Sequence, residues 1–507
     1  MTEVLIAGAG PTGLTLACEL AVRGVEVRIV DQSPEHFGGS RADGIQPRTM
    51  EVFEDLGVLD RILAGGDLGI LMRAYQGDTV IWEGRMSEAE EPTPSVPYPN
   101  AWFVPQFRTE EILRERLAEL GVRVELSTAL VDFTQDDDGV TVSLATADGR
   151  TSRVRARYLV GADGGRSTVR KALGIDFPGE TDESTTMLFA DARVEGIGRD
   201  HGRIWRVGEG GVGLTPLAGT DLFVAVARPP SDAEEPVRDY LQRTVEEASG
   251  RSDIVVREVT WHTTWRENTR LASRFRDGRV FLVGDAGHVH PPTGGQGMNT
   301  GIQDGYNLGW KLAAALAGGR DVLLDSFEPE RMAAARMALD LATGLLEKHR
   351  RGDEDAHVRG PELRGFTLNY RDGLLSADDR QAPGAVQAGD RAPDAPVGGP
   401  ATRLFSLFQG PHWTLLAFGA DSSDTVAAVN ERFGGAIRAC AVLPAGGSAD
   451  EHAVVDTDGH ARAGYDVADG TLVLIRPDGY VGLVTVAASR VTDYWTALHG
   501  LLPAARV

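Results

Sequence analysis

A glycine-rich segment, residues 284–301 with the sequence GDAGHVHPPTGGQGMNTG, is suited to holding a ligand with its backbone. Gly294, Gly295 and Gly297 come immediately before a helix that the pattern predicts from about Met298. Backbone N–H groups without obstructing side chains, together with the positive end of a helix, can face a planar, electron-rich ligand. The chemistry expected here is stabilisation of negative charge on a bound group by backbone donors.

A second glycine motif lies at the start of the chain. Gly8, Gly10 and Gly13 form G-x-G-x-x-G between a predicted strand and a predicted helix. In that context the glycines allow a tight turn, close approach of the backbone to a pyrophosphate, and packing of the helix on the strand. Asp31 ends the next strand, 18 residues beyond Gly13, where an acid accepts hydrogen bonds from an adenosine ribose. The motif predicts a dinucleotide site and leaves the identity of the dinucleotide open.

The histidines and cysteines form no metal-binding pattern. His288 and His290 stand two residues apart without a carboxylate cluster nearby, and Cys18 and Cys440 lie far apart in apolar segments. Zinc and redox sites need closely spaced ligand sets or paired cysteines. We therefore expect no metal, no structural disulfide and no thiol–disulfide chemistry.

Strand and helix patterns position these motifs. From residue 3 the chain reads as strand, glycine turn, helix and strand, a parallel βαβ unit buried on both faces. Strand–turn blocks recur at 157–174 and 279–318, which predicts one nucleotide-binding sheet built from three distant segments. The insertion at 176–276 alternates polar and apolar residues and predicts a mostly antiparallel sheet that forms one wall of a pocket.

The later part of the chain predicts a further unit. A helical run covers 329–351, and a Pro-, Gly- and Asp-rich stretch near 380–400 marks a boundary. The last 110 or so residues alternate strand and helix signals and predict a small separate α/β domain.

Composition narrows the classes of partner. The 507 residues carry a net charge of −23, with 42% hydrophobic and 25% charged residues. Such a charge disfavours nucleic acid and anionic membranes, and the apolar runs are too short to span a bilayer. The N-terminus lacks a basic start followed by an apolar signal core, so we expect a cytoplasmic protein.

Three motifs in order support a family resemblance. The N-terminal fingerprint, GADGGRSTVR at 161–170 and the segment 284–312 together resemble the signature set of class A FAD-dependent aromatic hydroxylases, in the phenol-hydroxylase and polyketide-hydroxylase branch. The resemblance covers about 1–345 with specific motifs and 386–507 more loosely. It implies an α/β fold with a Rossmann-like FAD-binding domain, an inserted antiparallel β-sheet substrate domain and a C-terminal thioredoxin-like domain.

The resemblance also divides the chain. Residues 1–175 are expected to form the first part of the FAD-binding domain, with a substrate-domain excursion near 70–100. The substrate-binding domain is expected at 176–276, the second FAD-binding part with long helices at 277–380, and the thioredoxin-like domain at 386–507. The C-terminal domain lacks a C-x-x-C motif, so a structural role in packing or assembly is expected for it.

The resemblance implies a set of FAD contacts. Asp285 is expected to bond the ribityl chain, Asp163 with Gly164 to lie where FAD and the reduced nicotinamide are handled, and Gln106 to lie near the flavin. The alternative for both aspartates is that each only caps a turn. The full set of expected cofactor-binding residues is Gly8, Gly10, Pro11, Thr12, Gly13, Asp31, Gln32, Arg41, Gln106, Asp163, Gly164, Gly284, Asp285, Pro292, Gly295, Gly297, Met298 and Asn299.

The catalytic expectation also follows from the resemblance. NADPH or NADH reduces FAD, O2 is the cosubstrate, and a C4a-hydroperoxyflavin transfers one oxygen atom to an electron-rich ring. Pro292 is expected against the flavin ring, and Asp43 matches the family aspartate that takes a phenolic proton. Asp43 is equally explained as a turn residue before Gly44. The two histidines of the glycine-rich segment are assigned to packing and turn structure.

The expected substrate is a small polycyclic aromatic molecule of polyketide origin. Trp261, Trp265 and Arg266 are candidates for contact with it, although core packing explains the tryptophans equally well. Baeyer–Villiger oxygenation or epoxidation on the same fold stays an alternative, as does a non-catalytic flavoprotein that binds an aromatic ligand. The W-x-W-x-I-P motif of flavin halogenases is absent from the sequence. The oligomeric state is left open.

Overall fold

The computed structural model describes residues 2–85, 87–207, 210–230, 234–351, 353 and 360–500. Within these residues the strands form three large sheets and two small ones. The strands, in chain order, are β1 (Val4–Ala7), β2 (Val27–Val30), β3 (Gly44–Ile45), β4 (Leu71–Gln76), β5 (Thr79–Gly84), β6 (Trp102–Phe103), β7 (Val124–Glu125), β8 (Thr128–Asp136), β9 (Gly139–Thr146), β10 (Thr151–Ala156), β11 (Tyr158–Gly161), β12 (Gly179–Glu195), β13 (His201–Val207), β14 (Gly210–Pro216), β15 (Phe223–Ala227), β16 (Val255–Leu271), β17 (Arg276–Asp277), β18 (Val280–Leu282), β19 (His288–Val289), β20 (Ala377–Asp378), β21 (Trp413–Phe418), β22 (Ile437–Pro444), β23 (Ala453–Asp456), β24 (Leu472–Ile475) and β25 (Val481–Thr485).

The helices lie between these strands. They are α1 (Pro11–Val22), α2 (Pro47–Asp55), α3 (Leu59–Ala64), α4 (Gln106–Glu119), α5 (Thr168–Ala172), α6 (Val237–Ser249), α7 (Gly297–Leu316), α8 (Val322–Asp325), α9 (Phe327–Arg351), α10 (Phe405–Phe408), α11 (Ser423–Phe433), α12 (His460–Tyr465) and α13 (Ala488–His499). Short 3-10 turns cover Gly284–Ala286 and Pro361–Arg364.

The first large sheet has the strand order β17-β18-β11-β1-β2-β7. β1 pairs in parallel with both β2 and β11, and β11 pairs in parallel with β18. The sequence prediction that three distant segments share one sheet is therefore confirmed. All four residues of β1 and of β11 are buried, as expected for parallel strands that are covered on both faces.

The second large sheet has the order β19-β16-β12-β15-β14-β13-β4-β5. Most of its pairs are antiparallel, but β4 runs parallel to β13, so the segment Leu71–Gly84 extends a sheet whose other long strands come much later in the chain. β12 and β16 are each 17 residues long and are bent by register shifts. α6 packs against one face of this sheet with Leu241 and Val245.

The third large sheet belongs to the C-terminal part, with the order β20-β25-β24-β21-β22-β23. Parallel and antiparallel pairs are mixed in it, and α11 and α13 pack on the same core as its strands. Cys440 on β22 and Cys18 on α1 are both buried free thiols. Burial raises the pKa of Cys18 to about 12 and that of Cys440 to about 11, which keeps both protonated and unreactive.

Among the described residues, no helix combines the length and the apolar character that a bilayer-spanning helix needs.

Candidate active site

The N-terminal glycines lie where β1 turns into α1. Gly8 has φ +107°, in the region that favours glycine, and a Cβ atom there would overlap the carbonyl oxygen of Ala162 in the segment after β11. A Cβ on Gly13 would overlap the carbonyl oxygen of Gly8, so α1 packs directly on the turn. By contrast, a Cβ on Gly10 would meet nothing within 4 Å. The open space lies beside the one glycine that the motif assigns to the pyrophosphate.

The end of β2 is bound to this turn through Asp31. Its Oδ2 accepts from the N–H of Ala9 at 2.8 Å, and its Oδ1 accepts from the N–H of Ser33 at 2.8 Å. Asp31 thus fixes the loop that carries the fingerprint, while its remaining lone pairs are those available to a ribose. Gln32, next in the chain, is exposed. Pro11 takes the first position of α1, where a helix needs no N–H donor.

The glycine-rich segment reaches the site as a turn. Gly294 and Gly295 have φ +89° and +62°, and the N–H of Gly295 donates to the carbonyl of Pro292 at 3.0 Å. Pro292 and Gly295 are both exposed, whereas Pro291 is buried. α7 begins at Gly297, and its second residue, Met298, packs against the main core. The segment therefore exposes Pro292 and Gly295 just before α7 begins.

Asn299 ties this turn to the segment that follows residue 43. Its Nδ2 donates to the carbonyls of Gly44 and Gly295, each at 2.8 Å, and its Oδ1 accepts from the N–H of Gln46 at 2.8 Å. The predicted cofactor-binding role of Asn299 stays a prediction. In the structure its buried amide joins two loops that were predicted to meet the flavin.

The turn at Gly284–Ala286 rests on a buried aspartate. The N–H of Gly284, which has φ +58°, donates to Oδ2 of Asp304 on α7 at 2.9 Å, and His288 Nε2 lies 2.7 Å from the same oxygen. Arg331 on α9 donates from Nε to the other oxygen at 2.6 Å. Burial alone would raise the pKa of Asp304, but the charges of Arg331 and His288 outweigh it and hold the pKa below its usual range. Asp285, between these anchors, is exposed.

Sequence reasoning missed Asp304 and Arg331, although a signal for them exists. Both are charged residues inside runs that otherwise read as buried helix, and a charge there requires a partner. His288, assigned from the sequence to packing and turn structure, has that role in the structure through Asp304.

One carboxylate oxygen of Asp163 caps a helix, and the other makes no hydrogen bond within the described residues. Its Oδ2 accepts from the N–H groups of Thr168 and Val169 at 2.7 and 3.1 Å, at the start of α5. Its Oδ1 is buried and has no hydrogen-bond partner within the described residues. Gly164, next to it, has φ +75°. The capping alternative therefore describes one half of the carboxylate, and the other half is suited to a ligand hydroxyl.

Gln106 is the first residue of α4. Its Nε2 donates to Glu110 Oε1 at 2.8 Å, one turn along the same helix. Burial raises the pKa of Glu110 to about 7, against the lowering effect of the Gln106 hydrogen bond and of Arg114. The hydrogen bond holds the amide of Gln106 against the side chain of Glu110 on α4.

Together these residues offer the space and the polar groups that FAD needs. The space beside Gly10 suits a pyrophosphate, and the unpartnered Oδ1 of Asp163 and the exposed Asp285 suit hydroxyl groups. Thr12 lies between the turn at Gly284 and α7, because a Cβ on either Gly284 or Gly301 would clash with its side chain. FAD needs the same set of donors, acceptors and close backbone approaches.

A cavity of about 480 Å³ lies on the other face of the second sheet from α6. Apolar residues that line it include Met72, Phe103, Phe189, Leu217, Val224 and Val226. Charged side chains also line it, namely Arg41, Asp43, Asp67, Arg85 and Arg199. Most of this lining was not predicted from the sequence, because it depends on the pairing of β4 with β13.

Asp43 stands between this cavity and the glycine-rich turn. It lines the cavity, and Gly44, its neighbour, is bonded to Asn299. Burial raises the pKa of Asp43 to about 6, and the nearby charge of Asp191 adds to the rise, while the backbone N–H groups of residues 43 and 44 oppose it. A carboxyl that changes charge near neutral pH in a ligand cavity is suited to accepting a proton.

The predicted substrate residues on β16 are not part of the described cavity lining. Trp261 and Trp265 do lie on the cavity's face of the sheet, since they pair with Asp191 and Met187 on β12, two residues either side of Phe189. Trp261 packs on the loop before Asp43, with Phe37 edge-on at 5.5 Å. Arg266 is exposed. The assignment of these three residues to substrate stays a prediction.

Comparisons with known proteins agree with this geometry. The family described as FAD binding domain matches residues 1–342. A flavin-dependent monooxygenase of Mycobacteroides abscessus is 43% identical over 97% of this chain and 98% of its own length. The 6-methylpretetramide 4-monooxygenase of Streptomyces rimosus is 35% identical over 94% of this chain and 90% of its own. The crystal structure of aklavinone-11 hydroxylase with FAD and aklavinone is 30% identical, covers 99% of both chains and has a TM-score of 0.81.

Proposed function

Because the chain belongs to the FAD-binding family of flavin-dependent aromatic monooxygenases, we propose that it inserts one oxygen atom from O2 into a polycyclic aromatic, polyketide-derived substrate with NADPH or NADH as electron donor. FAD is its cofactor. The α/β fold class predicted from the sequence, with its FAD-binding domain, is confirmed. The assignment of the other two parts to substrate binding and to a thioredoxin-like domain belongs to the proposal. The domain bounds predicted from the sequence stay part of the proposal.

One observation carries the substrate proposal. A cavity of about 480 Å³ lined by both apolar and charged side chains opens beside Asp43, and Asp43 is joined through Gly44 and Asn299 to the turn that presents Pro292. Such a volume falls in the range of sites that enclose most of a drug-sized ligand, and it exceeds the need of a single phenol ring. The relatives that act on 6-methylpretetramide and on aklavinone favour the same class.

Different residues would bind FAD, orient the substrate and accept its proton. Gly10, Asp31, Asp163 and Asp285 would hold FAD, which supplies the redox and oxygen chemistry when bound. The apolar cavity wall orients the ring and excludes water, which matters because water in such a site diverts oxygen into hydrogen peroxide. Asp43, when ionised, accepts the proton of a substrate hydroxyl and so makes the ring more electron-rich.

The proposed function is tested by oxidation of NADPH and NADH with FAD-loaded protein, alone and with a panel of phenols, naphthoquinones, anthraquinones and angucyclinones. Product mass, product structure by NMR and hydrogen peroxide are measured in the same samples. We expect one polycyclic class to stimulate NADPH oxidation with a product heavier by one oxygen atom and little peroxide. A product from ring expansion, or no stimulation by any compound, would contradict the proposal.

Asp43→Asn tests the role of the carboxylate. A protein base that takes a phenolic proton contributes about 10²–10⁴-fold, so we expect kcat to fall within that range for phenolic substrates above pH 6. The wild-type rate should rise with pH through about 6, because the base acts only when ionised, and that rise should vanish in the variant. Asp67→Asn, in the same cavity, is the matched control and should keep the rise. An Asp43→Asn enzyme with wild-type kcat and pH profile would remove the base from the proposal.

A further inference from the structure

The loop that carries Asp43 into the cavity is fastened to the second sheet just before it gets there. The N–H of Ser40 donates to Oδ2 of Asp191 at 2.8 Å, and the hydroxyl of Ser40 donates to Oδ1 of the same carboxylate. Asp191 is fully buried in the middle of β12, and Ser40 is buried as well. Both oxygens of the carboxylate act as acceptors, as an ionised group does. This is a charge-assisted, two-point contact between a strand and a loop.

A second contact fixes the same loop beside the first. Trp261 on β16 is the cross-strand partner of Asp191. A Cβ on Gly39 would overlap the indole of Trp261, so the loop backbone lies directly on the ring, and Phe37 packs edge-on against it. The loop is held again at residue 43, because the N–H of Val104 donates to the carbonyl of Asp43 at 2.7 Å. Asp43 is thus held at its own backbone and, three residues earlier, at Ser40.

From these contacts we propose that Asp191 is a positioning residue for Asp43, which it holds at the cavity through Ser40. The inference rests on the proposed function only in giving Asp43 a proton to accept. Asp191 itself does not line the cavity, so it acts through Ser40 and not on the substrate.

The charged groups around Asp43 differ in their effect on its pKa. Arg41, Asp67, Arg85 and Arg199 line the same cavity, but Arg199 is held by the carbonyls of two leucines and Arg85 donates to the carbonyl of Gly69. Asp191 is the charge that acts on the pKa of Asp43, in the upward direction. Burial raises the pKa of Asp191 too, while the two donors of Ser40 lower it. A negative charge held in a buried sheet shifts the pKa of a neighbouring carboxyl more strongly than one in solvent.

Asp191→Asn separates position from charge. An asparagine keeps an acceptor oxygen for Ser40 and loses the negative charge, so the loop stays fastened while Asp43 loses its neighbour. In FAD-loaded protein without substrate, infrared difference spectra against pH follow the carboxylic C=O band of Asp43, which Asp43→Asn identifies. We expect the midpoint in Asp191→Asn to fall below the wild-type value of about 6, while burial, the larger cause of the rise, keeps it above the ordinary 3.8. This readout does not depend on turnover, so it stands even where the proposed reaction fails.

Asp191→Ala removes the fastening as well. A misplaced catalytic group of this kind costs on the order of 100-fold in rate, and we expect that loss in kcat with a larger share of peroxide and a small change in KM. Ser40→Ala keeps the backbone N–H contact and should give an intermediate loss, and it decides the question where Asp191→Ala does not fold. Glu195→Gln is the control, because Glu195 lies on the same strand, exposed and paired with Arg257.

The outcomes are distinct. A lower midpoint in Asp191→Asn, with graded rate loss in Ser40→Ala and Asp191→Ala, supports the positioning role. An unchanged midpoint in Asp191→Asn together with wild-type coupling in Ser40→Ala overturns it. A lower midpoint in a protein that oxidises no aromatic compound supports the link between Asp191 and Asp43 and contradicts the proposed function alone.

Discussion

At the scale of single residues, the fingerprint glycines have different surroundings and so different sensitivities. Gly13→Ala places a Cβ against the carbonyl of Gly8, and a rigid backbone cannot give way, so we expect at least about 1–3 kcal/mol of destabilisation. Gly10→Ala points its Cβ into open space and keeps an allowed backbone, so the apoprotein should melt like the wild type. FAD affinity in Gly10→Ala should fall about tenfold or more, because the methyl group occupies space meant for the pyrophosphate.

The measurement for this pair is thermal melting of the apoprotein, together with FAD titration by quenching of flavin fluorescence. The expected result is a stability defect confined to Gly13→Ala and a binding defect without a stability defect in Gly10→Ala. Equal FAD affinity for Gly10→Ala and wild type would place the pyrophosphate away from this turn.

The residue scale is also where sequence reasoning was strongest. The tight turn and the helix packing that the spacing predicts require only local geometry, and the structure has them at Gly8 and Gly13, while the pyrophosphate contact of Gly10 stays a prediction. The sequence alone explains Asp43 equally well as a catalytic base and as a turn aspartate. The distinction depends on burial and on the neighbouring charge of Asp191, which come from a strand about 150 residues away. No local pattern encodes that distance.

At the scale of elements, a seam of glycines on α7 sets the position of α1. Gly301, Gly305 and Gly309 recur every four residues and so lie on one face of the helix. A Cβ on Gly305 would lie 2.7 Å from the carbonyl oxygen of Thr12, and Cβ atoms on the other two would clash with side chains of α1. The glycines of this part of the chain therefore serve helix packing as well as ligand approach. The sequence predicts a ligand role for the glycines before α7 and does not predict this packing role.

Gly305→Ala tests the seam. The new methyl group meets backbone atoms of α1, so we expect about 1–3 kcal/mol of destabilisation and weaker FAD binding, since α1 carries the fingerprint turn. Gly344→Ala on α9 is the matched control. A Cβ there meets nothing within 4 Å, and an exposed helical glycine replaced by alanine should gain about 0.5–1 kcal/mol. Urea unfolding of both variants gives the comparison. Similar shifts in the two would show that α1 and α7 are not closely packed.

At the scale of the whole molecule, a buried ionic cluster joins the C-terminal sheet to the helices of the FAD-binding part. Arg476, at the end of β24, contacts both carboxylate oxygens of Glu330 on α9, at 2.7 and 2.9 Å, and also pairs with Asp478. Lys311 on α7 contacts Glu330 at 2.6 Å, and the indole of Trp310 donates to Asp478 at 3.0 Å. The sequence predicted a separate C-terminal domain but not this junction, because its members come from three distant segments.

Glu330→Gln tests how far this junction holds the molecule together. Removing one partner leaves the charges of Lys311 and Arg476 short of a counter-ion in a buried site, and we expect about 3–5 kcal/mol of destabilisation at pH 7. Burial opposes the charge of Glu330, but Arg476 and Lys311 lower its pKa to about 2 from an ordinary 4.5. Its contribution is therefore complete above about pH 4.5 and is lost as the pH falls toward 2.

The stability gap between wild type and Glu330→Gln should accordingly narrow below pH 4.5, as measured by denaturant unfolding from pH 7 to pH 3. Glu258→Gln breaks an exposed pair with Arg193 and should change stability little at any of these pH values, because solvent screens such pairs. A gap that is constant with pH would mean that the glutamate acts by packing and not by charge. No gap at all would mean that the C-terminal sheet is joined to the helices by apolar contacts such as Trp310 on Trp413.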